Sequence, residues 1–499
     1  MNAINRRTLL RGGLAIAAAA GTGVLTACTG DRRGQRQPAD SFVAPDGEEV
    51  RTAETRRNPG TIRDVRLTAL TGPVDLGGLT TTTWSYDGVL PGRPIRVTAG
   101  EVVRATLANQ LPTHTTIHWH GLALRNDADG VPDLTQPPIP TSGEHVYQFT
   151  AAHPGTYWFH PHAGLQLDRG LYAPLIVEDP REPLAYDDEW IVVLDDWLDG
   201  IDGRDPDREF KQLRAGMMGN GHQMGGHQMG GSSSRLLGGD AGDVSYPHFL
   251  LNGRLPAAPV AYRGRPGTRL RLRIINAGGD TAFRVALAGH SMQVTHTDGF
   301  PVQPVDTDAL LVGMGERYDV LVTLADGVFP LVALAEGKNA TALGLVRTGS
   351  GGTPPASIRP RELNGRLVSY RDLVATEAVR LPDRAPDRTI DLRLTGSMMR
   401  YDWGFNDLSF DPGRIEPVRS GERVQINLVN TTEMWHPVHL HGHTFALGET
   451  GPRKDTAVVL PRQTLPISFD ADNPGLWMVH CHNIYHAEAG MMTLLGYQR

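Results

Sequence analysis

Cysteine is nearly absent from this chain: there are two, Cys28 and Cys481. Cys28 falls in an N-terminal export signal and Cys481 lies between two histidines. No pair is left for a structural disulfide, so stability has to come from elsewhere. An excess of basic charge is missing too. Lys and Arg number 48 against 55 Asp and Glu, for a net charge of −7. That leaves no positive field to hold a nucleic acid backbone. Long apolar runs are also missing. The stretch NRRTLLRGGLAIAAAAGTGVLTAC near the N-terminus is short and ends at small residues, which suits a cleaved signal better than a spanning helix.

What is present points to strands. Glycine (58) and proline (36) are abundant, as expected for many short strands joined by turns. Arg6 and Arg7 form a twin-arginine pair, and Leu25-Thr26-Ala27-Cys28 resembles a bacterial lipobox. Residues 1–28 therefore read as a twin-arginine lipoprotein signal, cut before Cys28 and lipidated on its sulfur. This puts the protein in the cell envelope, outside the cytoplasm, anchored to the membrane. An ordinary signal cut near Ala27, or a retained anchor, is the alternative. Residues 29–58 read as a tether.

Three segments repeat: GEVVRATLAN (100–109), GTRLRLRIIN (267–276) and GERVQINLVN (421–430). Each runs from Gly to Asn and alternates apolar with polar residues, as in Val103/Ala105/Leu107, which is the pattern of a half-buried strand. Their spacing, one domain length apart, implies three copies of one β-domain, at 59–180, 181–350 and 351–499. Nine and eleven residues after Asn109 stand His118 and His120, and at the same offsets after Asn430 stand His439 and His441. After Asn276 those positions hold Val285 and Leu287. Further on, PGTYWFHPH (154–162) aligns with PGLWMVHCH (474–482), giving His160 and His162 in one copy and His480 and His482 in the other. The middle copy offers Val332 and Leu334 instead.

Residues i and i+2 of a strand share a face, so each His-x-His presents two imidazoles side by side. Four such pairs, two from the first domain and two from the third, can meet at an interdomain face. Eight imidazoles divide as three, three and two around three metal ions. Imidazole alone does not select the metal. Cys481 does. With His480 and His482 facing the interface, alternation turns Cys481 back into its own domain, toward His486, Met491 and His436. Two His, a thiolate and an axial Met make a blue-copper electron-transfer site. The first domain holds Thr115, Pro161, Gln166 and Leu171 at the matching offsets, so it has no such site.

The motifs HWHG (118–121), HPH (160–162), HPVHLHGH (436–443) and HCHNIYHAEAGM (480–491) resemble those of the multicopper oxidases, over about residues 60–499. The relatives meant are three-domain, laccase-like proteins, most closely the actinobacterial and mycobacterial copper-resistance cuprous oxidases. The resemblance implies an all-β fold of three consecutive cupredoxin-like Greek-key sandwiches or barrels. It implies four copper ions: type 1 at His436, Cys481, His486 and Met491; type 2 at His118 and His439; and a type 3 pair at His120, His160, His162, His441, His480 and His482. It also implies reduction of O2 to water by four one-electron oxidations.

That chemistry consumes four protons, and Asp129 and Glu488 are the candidate relay acids. Met434 and Glu433, just before His436, are the candidates for holding a Cu(I) substrate, by similarity to cuprous oxidases whose acid stands one residue earlier, at Thr432 here. Residues 215–232, AGMMGNGHQMGGHQMGGS, add four Met and two His, soft and borderline ligands suited to Cu(I). The expected function is therefore Cu(I) oxidation by a lipid-anchored monomer with O2 as acceptor. Oxidation of small phenols or aromatic amines is the alternative enzyme. Copper storage without turnover is the alternative outside enzymes, but a store has no use for the Cys481 junction. His114, His145, His153, His248, His290 and His296 fall in no pair and read as structural, and His443 as a neighbour of the cluster rather than a ligand.

Overall fold

The structure is a computed structural model, and it describes residues 41–216 and 232–499. The signal with Cys28 and most of the Met/His stretch 215–232 lie outside the described residues. Among the described residues, no helix is long and apolar enough to cross a membrane.

The repeated strands, Val102–Asn109, Arg269–Asn276 and Arg423–Asn430, hold the same place in three sheets. Each pairs in parallel with the strand that opens its own sandwich, Ile62–Asp75, Asp188–Trp197 or Arg388–Thr395. Each pairs antiparallel with a later one, Glu144–Thr150, Arg317–Thr323 or Thr464–Asp470. The shared glycines have a backbone reason. Gly100, Gly267 and Gly421 sit at φ of +91°, +83° and +86°, in open space, so left-handed geometry rather than crowding requires glycine there. The shared asparagines close the strand onto the loop that follows. Asn109 donates to the carbonyls of Thr113 and Ile139, Asn276 to those of Thr281 and Val312, and Asn430 to those of Met434 and Val459.

Each of these sheets has a second sheet from the same repeat, and apolar side chains fill the space between. In the first unit Leu107 and Phe149 come from one sheet, and Trp119, Phe159 and Leu175 from the other, all fully buried. Burial of such a side chain contributes about 1.5–3 kcal/mol. The result is all-β: three consecutive Greek-key sandwiches. In the middle one, Val285, Leu287 and Val332 are buried in apolar clusters where the outer two carry histidine.

One expectation is corrected. The stretch 29–58, read as a tether, is folded from Ser41 onward. Phe42 and Val43 are buried, and the Val43 N–H donates to the Tyr497 carbonyl at 2.8 Å, beside the last strand. A helix, Glu48–Arg56, follows and buries Val50. Glu54 Oε1 accepts from the Thr150 N–H and hydroxyl at 2.7 Å, while Arg57 donates to Asn473 at 2.8 Å. The arm thus fastens the first sandwich to the third. Average polarity across the stretch concealed two adjacent apolar residues with a groove to fill.

Candidate metal centre

Cys481 ends the strand Leu476–Cys481, which pairs with His436–Leu440 so that Val438 stands opposite Cys481 and His439 opposite His480. Alternation does what the spacing required. The thiol turns into the third sandwich, where its Sγ lies 3.7 Å from His436 Nδ1 and 3.7 Å from His486 Nδ1. These two nitrogens are 3.0 Å apart. His486 stands on a short helix, Ile484–Ala489, whose first N–H groups are capped by the Asn483 side chain. Met491 is fully buried, and its carbonyl accepts from the Cys481 N–H at 3.1 Å. Trp403 packs on the His486 ring at 4.4 Å.

On the other face the eight paired histidines converge between the first and third sandwiches. His118 stacks on His441 and His120 on His439, each with ring centroids 3.8 Å apart. The Nε2 atoms of His118 and His439 approach to 3.4 Å, and those of His441 and His480 to 3.1 Å. The far nitrogens are anchored. Nδ1 of His118 donates to the Asp129 carbonyl, that of His439 to the Asp455 carbonyl, and that of His480 to the Cys481 carbonyl. The strand Gly155–His160 stops at His160, and His162 lies beyond Pro161, which cannot donate to the ladder. Trp158 walls the group, 4.6 Å from His160 and 5.0 Å from His120.

The donors fit metal ions. Ligand atoms lie within 4.8 Å of one another in the sets His118/His120/His160, His118/His439/His441, His162/His441/His480 and His436/Cys481/His486. Nδ1 of His120, Nε2 of His160 and both ring nitrogens of His482 are buried without a hydrogen bond. Buried polar atoms are rarely left unpaired, and a bound cation satisfies them. Burial, reinforced by neighbouring imidazoles, holds His120, His160, His162, His436, His441, His480 and His482 well below the ordinary imidazole range, in the neutral form that binds metal. His486 is the exception. Burial lowers it, but the Asp243 carboxylate and Cys481 prevail and push it up to about 10. A buried thiol among imidazoles suits copper.

The carboxylates sort differently from the sequence expectation. Asp129 is buried and joins two rings: Oδ2 accepts from His441 Nδ1 at 2.9 Å, and Oδ1 lies 3.1 Å from His118 Nδ1. Glu488 does not reach the cluster. It is exposed, on the wall of a cavity of about 180 Å³ that is also lined by His160, His162, His480 and His482. Partial enclosure, with Asp207 nearby, raises its carboxyl, and Arg214 opposes this. Glu433 is not brought to the site at all: it is 79% exposed and pairs with Arg462. The bend that leads into the strand leaves the Glu433 side chain in solvent, while Met434, next to it, is buried in the third core. Thr432 takes the place beside the metal group, its hydroxyl 2.8 Å from His436 Nε2.

Two further acids escaped the sequence reading. Asp243 Oδ2 accepts from His486 Nε2 at 2.8 Å and from the Tyr401 hydroxyl at 2.8 Å. Asp455 accepts from His120 Nε2 at 3.1 Å. The only sequence signal for Asp455 was its nearness to the His439/His441 motif, and Asp243 had none. The Met/His stretch is approached by helix Pro206–Gly216, whose Phe210 packs on Tyr401 and Tyr485 beside His486.

Family models described as multicopper oxidase match residues 71–182, 188–351 and 383–498. The chain is 46% identical to multicopper oxidase MmcO of Mycobacterium tuberculosis, over 99% of this chain and 98% of that one. It is 30% identical to copper resistance protein A of Pseudomonas syringae pv. tomato, over 84% of this chain and 90% of that one. Among solved structures it is similar to a laccase from Botrytis aclada, with TM-score 0.71 and 23% identity over 94% of this chain and 93% of that one.

Proposed function

The chain belongs to the multicopper oxidase family, and on that premise we propose that it couples four one-electron oxidations of Cu(I) to Cu(II) to the reduction of one O2, with four protons, to two waters. Copper is the cofactor. Four ions would be held: type 1 by His436, Cys481, His486 and Met491; type 2 by His118 and His439; and the type 3 pair by His120, His160, His162, His441, His480 and His482. Bound copper supplies the one-electron storage and the O2 chemistry.

The observation that carries this reading is the junction at 480–482. The thiol that closes one donor set is joined by a single peptide unit on each side to imidazoles of the other. That is a short covalent path for an electron, useful only if the two metal groups differ in redox role. Asp129, bonded to rings of both copies, is suited to hold a proton beside the cluster, and Glu488 to take one from solvent at the cavity wall.

Three features favour Cu(I) over a phenol. Relatives carry copper-resistance names. The stretch 215–232 is rich in thioethers, which favour Cu(I). The Asp243 carboxylate, buried against His486 Nε2, adds negative charge beside the type 1 ligands, which favours a cationic reductant. Met434, buried just ahead of His436 with its carbonyl held by Asn430, stays the candidate for holding the Cu(I) substrate. We further propose that the protein is exported by its twin-arginine signal, anchored through Cys28, and acts as a monomer. The test is O2 uptake by fully copper-loaded protein with Cu(I) or a phenol, with and without residues 215–232. Rapid uptake with Cu(I) that drops on deletion supports the proposal. Rapid uptake with the phenol and a deletion-insensitive Cu(I) rate makes the protein a laccase. No uptake with either leaves only a copper store.

A further inference from the structure

We propose that Asp455 is a positioning residue of the histidine cluster, and that the copper-free middle sandwich exists in part to lock it there through Arg317. The proposal rests on the trinuclear reading given above.

His120 is anchored the opposite way round from its neighbours. The rings of His118, His160, His439, His441 and His480 all donate from Nδ1. His120 instead donates from Nε2 to Asp455 Oδ1, and its Nδ1 is left buried without a partner. The Thr456 hydroxyl also lies 3.1 Å from that Nε2 and itself donates to Asp455 Oδ1, so the Asp455 carboxylate, with Thr456 beside it, selects both the tautomer and the nitrogen that His120 presents to a metal. Asp455 also lies against the second stacked partner, with Oδ1 3.4 Å from His439 Nδ1, while its own carbonyl takes that ring's proton at 2.9 Å.

A carboxylate can orient a ring only if it is itself immobile, and here it is. Arg317 grips both oxygens, Nη1 to Oδ1 at 2.7 Å and Nη2 to Oδ2 at 2.6 Å, with both side chains fully buried. This paired fork gives a fixed direction that a point charge does not. Arg317 is held in turn: its Nε donates to the Thr156 carbonyl of the first sandwich at 3.1 Å, and its backbone N–H to Asp298 at 2.8 Å. Asp298, also from the middle sandwich, accepts from the backbone N–H groups of Asp455 and Thr456 at 3.1 and 3.2 Å. The three sandwiches therefore meet in one ion pair.

Two comparisons within the molecule sharpen the assignment. Asp129 holds His118 and His441 much as Asp455 holds His439 and His120, yet among the described residues Asp129 has no Lys or Arg partner. The two acids are matched in place and different in freedom. Gly121, in the HWHG motif, is the second sign. A Cβ there would lie 2.3 Å from Arg317 Nη2 and 2.6 Å from Asp455 Oδ2, so this glycine leaves room for the pair.

The test is Asp455→Asn in the copper-loaded full chain. The readouts are copper per chain, retention of copper against a chelator, the paramagnetic resonance of the cluster copper and the blue absorption of the Cys481 site. The expected result is unchanged blue absorption, with cluster copper held at least tenfold more weakly, in the range typical for loss of such a partner, and altered hyperfine coupling. Arg317→Lys keeps the charge but loses the fork, and should show the same resonance change in smaller degree. If Asp455→Asn fails to fold, Arg317→Lys is read alone by the same criteria. Native copper retention and native resonance, with only a lower melting temperature, would reduce the pair to a plain structural ion pair and overturn the proposal. Wild-type protein that binds a single copper would instead overturn the trinuclear reading beneath it.

Discussion

Gly121→Ala is the perturbation whose cost can be worked from the structure most directly. Gly121 sits at φ +88°, and a Cβ there would press on Arg317 Nη2 at 2.3 Å and Asp455 Oδ2 at 2.6 Å. Left-handed backbone costs an L-residue about 1–2 kcal/mol. Neither charged group can yield without leaving its partner. Both are fully buried, and breaking a buried pair costs about 3–5 kcal/mol because a charge is left uncompensated. The sum is about 4–7 kcal/mol. Gly100→Ala supplies the control, since Gly100 has nearly the same φ, +91°, with nothing within 4 Å of a Cβ. It should cost only the backbone part, about 1–2 kcal/mol. The assay is urea unfolding of both variants without copper, so that metal binding does not mask the difference. Tryptophan fluorescence would follow the transition. Equal shifts for the two variants would refute the reasoning, because they would mean that the ion pair gives way at no cost.

Other consequences are open to measurement. Cys481→Ser should abolish the blue absorption and all turnover, and a variant still oxidising Cu(I) or a phenol would break the junction argument. Asp129→Asn should retain copper while O2 consumption falls by about 10²–10⁴-fold, the usual range for a lost proton-transfer group; an unchanged rate would remove Asp129 as relay. Asp243→Asn should slow Cu(I) oxidation more than phenol oxidation, and equal slowing would argue against cation attraction at His486. For Glu488, the folded-state carboxyl is raised by partial enclosure first and Asp207 second. Its contribution is therefore fully present below the unfolded value near pH 4 and lost as pH rises through the raised value. Glu488→Gln should raise the melting temperature at neutral pH and leave it unchanged below about pH 4; the reverse trend would contradict the assignment.

Much of the site was legible because strand chemistry is local. A period of two placed His480 and His482 on one face and Cys481 on the other, and the pairing of Val438 with Cys481 bears the same alternation. The repeat was legible for a similar reason: its glycine answers to one dihedral angle, and its asparagine in part to a carbonyl four or five residues on. Other residues resisted. Glu433 stands next to Met434 in sequence, yet one is in solvent beside Arg462 and the other in the core. Phe42 and Val43 were hidden by polar company until the last strand offered them a groove.

Sequence alone set out the candidate donors and their division between a thiolate group and an all-imidazole group, because residue type and two-residue spacing are properties of the chain itself. Tertiary structure decided which acids serve those donors. Asp243 and Asp455 reach His486 and His120 across 243 and 335 positions of sequence. Only the packing of three sandwiches against one another brings Arg317 to Asp455, and burial then turns that approach into a fixed contact.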